Sequence, residues 1–234
     1  MNRLMQKENA KKVIKGRVLI SFLVLFVLFL ITGGIDAIIA RMDMPLVSFV
    51  IGIAVFILTM PLQNGAYLYF YNISTDKTED FSDLFKPYQN GAFKELVKAK
   101  LIVYLYVILG LICFIIPGIY FSIKYAMVDY IFAENPKTLY REAMAESAAI
   151  MKGKIWDYFV LMLSFILWYL LVALTFGFAA IYVMPYVYAT TAQFYLSVRR
   201  TGDIIVLSPD STGYFPDDKD YPPSGIYGVD KDKE

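Results

Sequence analysis

The chain has 234 residues, 58% hydrophobic and 17% aromatic against only 18% charged, far more apolar than a domain that folds in water. It contains no histidine, which excludes Ser-His-Asp and Cys-His nucleophile systems, histidine metal ligands and imidazole proton shuttles together. The formal net charge of +1 conceals an asymmetry: residues 201–234 hold eight acids against three lysines, and the basic excess of the remainder belongs at a membrane surface.

Residues 1–17 carry six Lys or Arg and read as a basic cytoplasmic N-terminus. A bilayer core of about 30 Å asks for about 20 mainly apolar residues per helix. The run from Val18 to Ala40 meets that length without a good signal-peptide cleavage site, so it is expected to be a retained first span. A second span is expected over 46–71 after the short turn RMDMP, then a third over 97–116 and a fourth over 118–133, separated only by a turn at Ile116-Pro117-Gly118. The last hairpin, Lys154 to Arg200, supplies spans five and six over 155–176 and 179–198, with Gly177 at its bend. Pro61 and Pro185 interrupt spans two and six and are expected to kink them. Cys113, the single cysteine, lies inside an apolar run; it rules out an intrachain disulfide and is expected to be a small buried hydrophobe.

Two short helices are expected between the hairpins. Asn135 followed by Pro136 is a helix start and Gly153 a stop, so 136–152 reads as an amphipathic helix carrying Leu139, Tyr140, Ala143, Met144, Ser147, Ile150 and Met151 on one face. The earlier loop, 79–86, has a shorter apolar face of Phe81, Leu84 and Phe85 before Pro87 and the Asn90-Gly91 turn. Lys and Arg concentrate in residues 1–17, 73–100 and 134–154 and at Arg199-Arg200, whereas Arg41 stands alone on the other side, so both termini are expected in the cytoplasm. The expected fold is an all-α bundle of six spans in three hairpins, with a disordered acidic tail over 201–234. Met60-Pro61 precedes Phe70-Tyr71 at the interval by which Met184-Pro185 precedes Phe194-Tyr195, which suggests a duplicated hairpin unit.

Ionisable groups within a bilayer are costly and default to functional suspects. Asp36 lies 19 residues beyond Arg17, roughly 28 Å along a helix and near the far headgroups, where it can stay hydrated. Lys124 sits near the middle of span four; Asp129 is five residues on, at the wrong helical angle for an internal pair, so each needs a partner from another helix. Gln63 and Asn64 follow Pro61, and Thr190, Thr191 and Gln193 follow Pro185. Satisfying carbonyls freed by proline is the plain reading of these, a substrate site at broken helices the sharper one. Lys124, Asp129, Gln63 and Asn64 are the candidate polar site. Tyr67, Tyr71, Tyr130, Tyr158 and Tyr195 lie near span ends and are expected to form an interfacial belt. No catalytic, cofactor-binding or metal-binding motif is recognisable, and no cofactor is expected.

The second half resembles a bacterial integral membrane family, domain of unknown function 975. The resemblance runs roughly from Phe81 to Tyr195 and rests on Ile116-Pro117-Gly118, Tyr125, Met127, Ala133-Glu134-Asn135-Pro136, Glu142-Ala143, Met151-Lys152-Gly153, Leu163-Ser164-Phe165-Ile166 with Trp168, Leu174-Thr175 with Gly177, Pro185-Tyr186 and Phe194-Tyr195. The chain departs from the family pattern at Leu167 and Ala179, where glycine is usual, and at Phe121, where a lysine is usual. The resemblance implies a multi-pass helical protein of the bacterial cytoplasmic membrane and no particular activity. A similarity of hairpin style to membrane regions attached to some glycerophosphodiester phosphodiesterases links it to lipid by analogy alone. The expected function is a non-enzymatic membrane scaffold or accessory protein whose partners are lipids, other membrane proteins but no nucleic acid; the alternative is a small transporter or lipid-translocating protein with a mid-membrane polar site.

Overall fold

A computed structural model of the chain describes residues 3–41, 43–77, 80–89 and 91–207, and these are helical with short connections. The Asp36 side chain, Asn90 of the expected turn and the tail beyond Leu207 lie outside the described residues. Helix α1 spans Arg3–Ile14 and is broken from α2, Val18–Ile39, at Gly16, whose φ of 81° suits glycine. Helix α3, Pro45–Ser74, begins on a proline, whose missing N–H would be unpaired at that position anyway, and continues through Pro61.

A 3₁₀ turn at Phe81–Leu84 is capped by the Asp80 carboxylate, which accepts from the Ser82 N–H at 2.9 Å, and is followed by α4, Lys86–Gln89. Only Leu84 of the expected apolar face is buried; Phe81 and Phe85 are exposed. Helix α5, Phe93–Cys113, and α6, Ile115–Lys124, form a hairpin whose bend is the extended residue Phe114 rather than Pro117-Gly118. Pro117 instead occupies the first turn of α6, where it breaks no helical hydrogen bond. Gly110 and Gly118 let the two backbones meet: a Cβ on Gly110 would stand 2.8 Å from the Gly118 nitrogen. Cys113, expected to be buried, is exposed at this end.

The fourth expected span is two helices, α6 and α7, Val128–Glu134, separated by turn residues Tyr125, Ala126 and Met127. Helix α8, Tyr140–Ile150, starts four residues later than Asn135-Pro136 implied. The Asn135 side chain caps only a local turn, accepting from the Lys137 N–H at 3.1 Å, whereas Glu142 and Glu95 accept from the Leu139 and Tyr140 N–H groups at 3.2 and 3.1 Å. Acidic oxygens at a helix N-terminus satisfy its free donors and oppose its dipole. Gly153, φ 75°, closes the turn after α8 as expected. The fifth span is likewise split into α9, Ile155–Leu163, and α10, Ile166–Leu174, with the Ser164 hydroxyl turned back to the Leu161 carbonyl at 2.5 Å. Gly177, φ 93°, makes the final bend, and α11, Ala180–Leu207, passes through Pro185 and beyond the tail boundary expected at Thr201.

Five stretches among the described residues are long and apolar enough to cross a membrane: Val18–Ile39, Pro45–Ser74, Phe93–Cys113, Ile115–Glu134 and Ile155–Leu174. The expected sixth, within α11, is helical but diluted by Thr190, Thr191, Gln193 and several tyrosines, and it is not among the five. The core is confined to one end of the bundle. It takes the second half of α3 from Thr59 to Ile73, the first turns of α5, α7 apart from Asp129 and Glu134, and α11 from Val183 to Val198, with Ala10 and Ile14 of α1 and Val24, Leu25 and Leu28 of α2. At the other end Phe49, Ile112, Leu167 and Phe178 are exposed, and α10 buries nothing.

Candidate functional site

The break at Tyr125–Met127 frees α7 to turn its first residues towards α3 and α5, and Asp129 meets its partner there. That partner is Lys100, whose Nζ lies 2.9 Å from Asp129 Oδ1; the side chains are 8% and 19% exposed. From α3, Asn64 Nδ2 donates to the Asp129 carbonyl oxygen at 2.8 Å and to its Oδ1 at 3.2 Å, while Lys100 Nζ donates to Gln63 Oε1 at 3.5 Å. Three of the four expected site residues, Gln63, Asn64 and Asp129, are thus brought together. Gln63 and Asn64 bridge to other helices rather than back-bonding to α3.

The fourth, Lys124, is elsewhere. It ends α6, its ammonium 5.3 Å from the Tyr125 ring centre, and its carbonyl accepts from the Ser147 hydroxyl of α8 at 3.0 Å. Lys100 takes the place assigned to it. A cleft of about 70 Å³ opens beside the pair, lined by Lys100, Val103, Tyr104, Tyr125, Val128 and Asp129.

Behind the pair stands an aromatic cluster rather than an interfacial belt. Tyr67 lies under the Lys100 ammonium at 5.9 Å and packs edge-on to Tyr130 with centroids 5.1 Å apart; Tyr130 in turn stacks on Tyr195 at 5.3 Å. Tyr71 reaches the same Tyr195 ring at 6.2 Å, and Tyr158 meets Phe194 at 5.0 Å. The hydroxyls are paired: Tyr130 Oη shares a hydrogen bond with Thr191 Oγ1 at 2.5 Å and donates to the Tyr188 carbonyl at 3.2 Å. Thr190 and Thr191 also bond back to the Tyr186 and Tyr188 carbonyls, as expected of hydroxyls following Pro185.

Two further polar ties bind the same end. Arg199 pairs with Glu146 of α8 and lies 3.5 Å from Glu134 Oε2 of α7, and the Tyr195 hydroxyl donates to that same Glu134 oxygen. The fully buried Asp83 accepts from Asn72 Nδ2 at 2.8 Å and pairs with Lys86. Tyr195→Phe should cost about 1–3 kcal/mol, because it leaves a partly buried carboxylate short of one donor. Thermal unfolding of the purified protein reads this, and an unchanged midpoint would show that Arg199 alone holds Glu134.

The Lys100–Asp129, Asn64–Asp129, Tyr130–Thr191 and Arg199–Glu146 contacts join elements distant in sequence, so the arrangement is first a set of clasps. Chemically, it also offers one cation and one carboxylate at the edge of a small cleft. These observations define an all-helical protein with several apolar helices compatible with a membrane. Residues 94–202 match the family model described as "Protein of unknown function (DUF975)", overlapping most of the stretch from Phe81 to Tyr195 that carries the resemblance. No curated protein and no solved structure matches the chain.

Proposed function

We propose that this protein is a non-enzymatic scaffold or accessory protein of the bacterial cytoplasmic membrane, with both termini in the cytoplasm, whose partners are lipids and neighbouring membrane helices. The observation that carries this reading is the one-sided core. Ionisable groups at the packed end are engaged in ties between α3, α5, α7, α8 and α11. The helices at the other end offer large apolar side chains, Phe49, Leu109, Ile112, Leu167, Leu170 and Phe178 among them, that do not cover one another. Apolar surface of that extent is a site for lipid or protein. The basic residues Lys86, Lys137, Arg141 and Lys152 fall at the packed end, which supports a cytoplasmic assignment for it.

Purification in native-lipid discs followed by mass spectrometry tests the proposal. A lipid class or membrane protein recovered in fixed ratio is expected, and recovery of neither overturns it. The cleft beside Lys100 and Asp129 favours a second reading, a small transporter or lipid-translocating protein. On that reading Lys100→Met abolishes a flux across reconstituted vesicles that the wild type supports, and the absence of any such flux in the wild type removes it.

A further inference from the structure

Helix α1 holds the densest positive charge in the chain, and it is neither a free arm nor a loop. Gln6, Ala10 and Ile14 form its buried face, and Gln6 Nε2 donates to the Ser197 hydroxyl of α11 at 3.0 Å. Immediately beside that face, one helical turn apart, stand Lys7 and Lys11. Lys7 Nζ lies 4.6 Å from the Phe165 ring centre and Lys11 Nζ 5.8 Å from that of Tyr186. Phe165 and Tyr186 pack on each other at 5.4 Å, with Trp168 against Tyr186 at 5.7 Å. The two ammonium groups therefore rest on an aromatic floor built at the α9–α10 break and the start of α11.

The location is electrostatically demanding. Phe165 lies at the break inside Ile155–Leu174, one of the stretches apolar enough to span a membrane. Residues 3–17 contain six basic side chains and one acid, Glu8. Among the described residues none of Arg3, Lys7, Lys11, Lys12 and Lys15 is within ion-pair distance of a carboxylate. Burial, and next to it the charge of Lys11, holds the Lys7 ammonium below the ordinary lysine range. Aromatic faces attract cations but do not neutralise them. A row of cations against an apolar segment needs a counter-charge brought to it. In a bilayer the abundant mobile anion with its own apolar tail to lie along α9 and α10 is the phosphate of an anionic phospholipid, and the packed end, to which α1 is tied through Gln6 and Ser197, is the end that faces the cytoplasmic headgroup layer on the reading above.

We propose that the groove between α1 and the α9–α10 break binds anionic phospholipid headgroups, with Lys7 and Lys11 holding the phosphate and Phe165, Trp168 and Tyr186 forming the floor. This rests on the membrane reading above and adds to it a lipid class and a place.

Trp168 is a reporter already in position, since the chain has only two tryptophans. In full-length protein carrying Trp156→Phe, reconstituted in phosphatidylcholine vesicles, its fluorescence is quenched by brominated lipid in contact with the groove. Brominated phosphatidylglycerol should quench at a mole fraction about fivefold or more below that needed for brominated phosphatidylcholine, given the usual contribution of one lysine near an anionic surface. Lys7→Gln with Lys11→Gln should bring the two lipids to parity, whereas Lys12→Gln, about 140° round α1 from Lys7 and over neither ring, should leave the preference intact. Salt at about 1 M, where the screening length is about 3 Å, should erase it in the wild type, which tests the site without any substitution.

Equal quenching by both lipids in the wild type overturns the proposal while leaving the protein in the membrane. A preference that survives the double substitution or high salt, or that Lys12→Gln removes equally, overturns it as well. If inorganic pyrophosphate in solution abolishes the preference, the groove takes soluble phosphate and the lipid assignment fails. Quenching by neither lipid defeats the membrane reading itself.

Discussion

Replacing Asp129 by alanine is expected to destabilise the protein by about 3 kcal/mol, and Lys100→Met by a similar amount, because each leaves the other member of a buried pair without its counter-charge. The magnitude follows from the site. Lys100 is 8% exposed and Asp129 19%, so neither can recover its hydration without moving a helix, and Asn64 loses one of its two acceptors on Asp129. The joint substitution Lys100→Met with Asp129→Leu should recover most of the loss, since two apolar side chains of similar volume remove the desolvation penalty along with the attraction. Closed with the single variant Asp129→Leu, the double-mutant cycle is then expected to show a coupling of about 3 kcal/mol or more. Unfolding of the purified protein in micelles measures all these variants. An Asp129→Ala protein within about 0.5 kcal/mol of wild type would mean that the pair does not clasp α5 to α7. A double variant that is stable yet fails to rescue a deletion phenotype would make the pair functional as well as structural.

Much of the architecture was legible because it depends on run lengths. The bounds of α2 and the start of α3 fall within a residue of expectation, and Gly153 and Gly177 mark turns where their positive φ values are needed. The breaks inside spans four and five were not legible. Tyr125-Ala126-Met127 and Ser164-Phe165 contain neither proline nor glycine, and apolar residues on both sides conceal an interruption set by packing and by a serine back-bond.

The polar site was half legible. Gln63, Asn64 and Asp129 stand out against apolar neighbours, but Lys100 lies only three residues inside a span expected from residue 97 and counts equally among the basic residues of 73–100. Helix α5 begins at Phe93, which puts Lys100 two turns inside it between Ala99 and Leu101. A lysine flanked by a buried alanine and an apolar run was the available signal. The tyrosine cluster is hidden in the sequence for a different reason. Near a helix end, a ring facing the lipid interface and a ring facing another tyrosine have the same sequence signature, and only tertiary contact separates them.

Gly65→Ala should be more damaging still, although alanine is the better helix former by about 1 kcal/mol. The segment from Asp80 to Gln89 lies lengthwise along α3. Tyr88 donates to the Leu58 carbonyl at 2.6 Å, Leu84 sits on Gly65, and Asp83 accepts from Asn72. At the middle of this line a Cβ on residue 65 would stand 2.3 Å from the Leu84 carbonyl oxygen and 2.4 Å from its Cα. Those are backbone atoms, so no rotamer change relieves the overlap and the segment must lift away. Lifting it exposes Leu84, about 2 kcal/mol of apolar burial, and breaks the Asn72–Asp83 bond, about 1 kcal/mol or more. A loss of about 3 kcal/mol or more is therefore expected, together with new proteolytic cleavage between residues 80 and 89. Gly52→Ala is the matched control: it lies in the same helix, a Cβ there meets nothing within 4 Å, and it should be neutral or stabilising. If the two substitutions behave alike, the clasp along α3 is absent. If Gly65→Ala alone opens the segment, the same glycine explains why a polar loop with a buried aspartate can be held against an apolar helix: only without a side chain at residue 65 do the two backbones come close enough for Asn72 and Lys86 to satisfy Asp83.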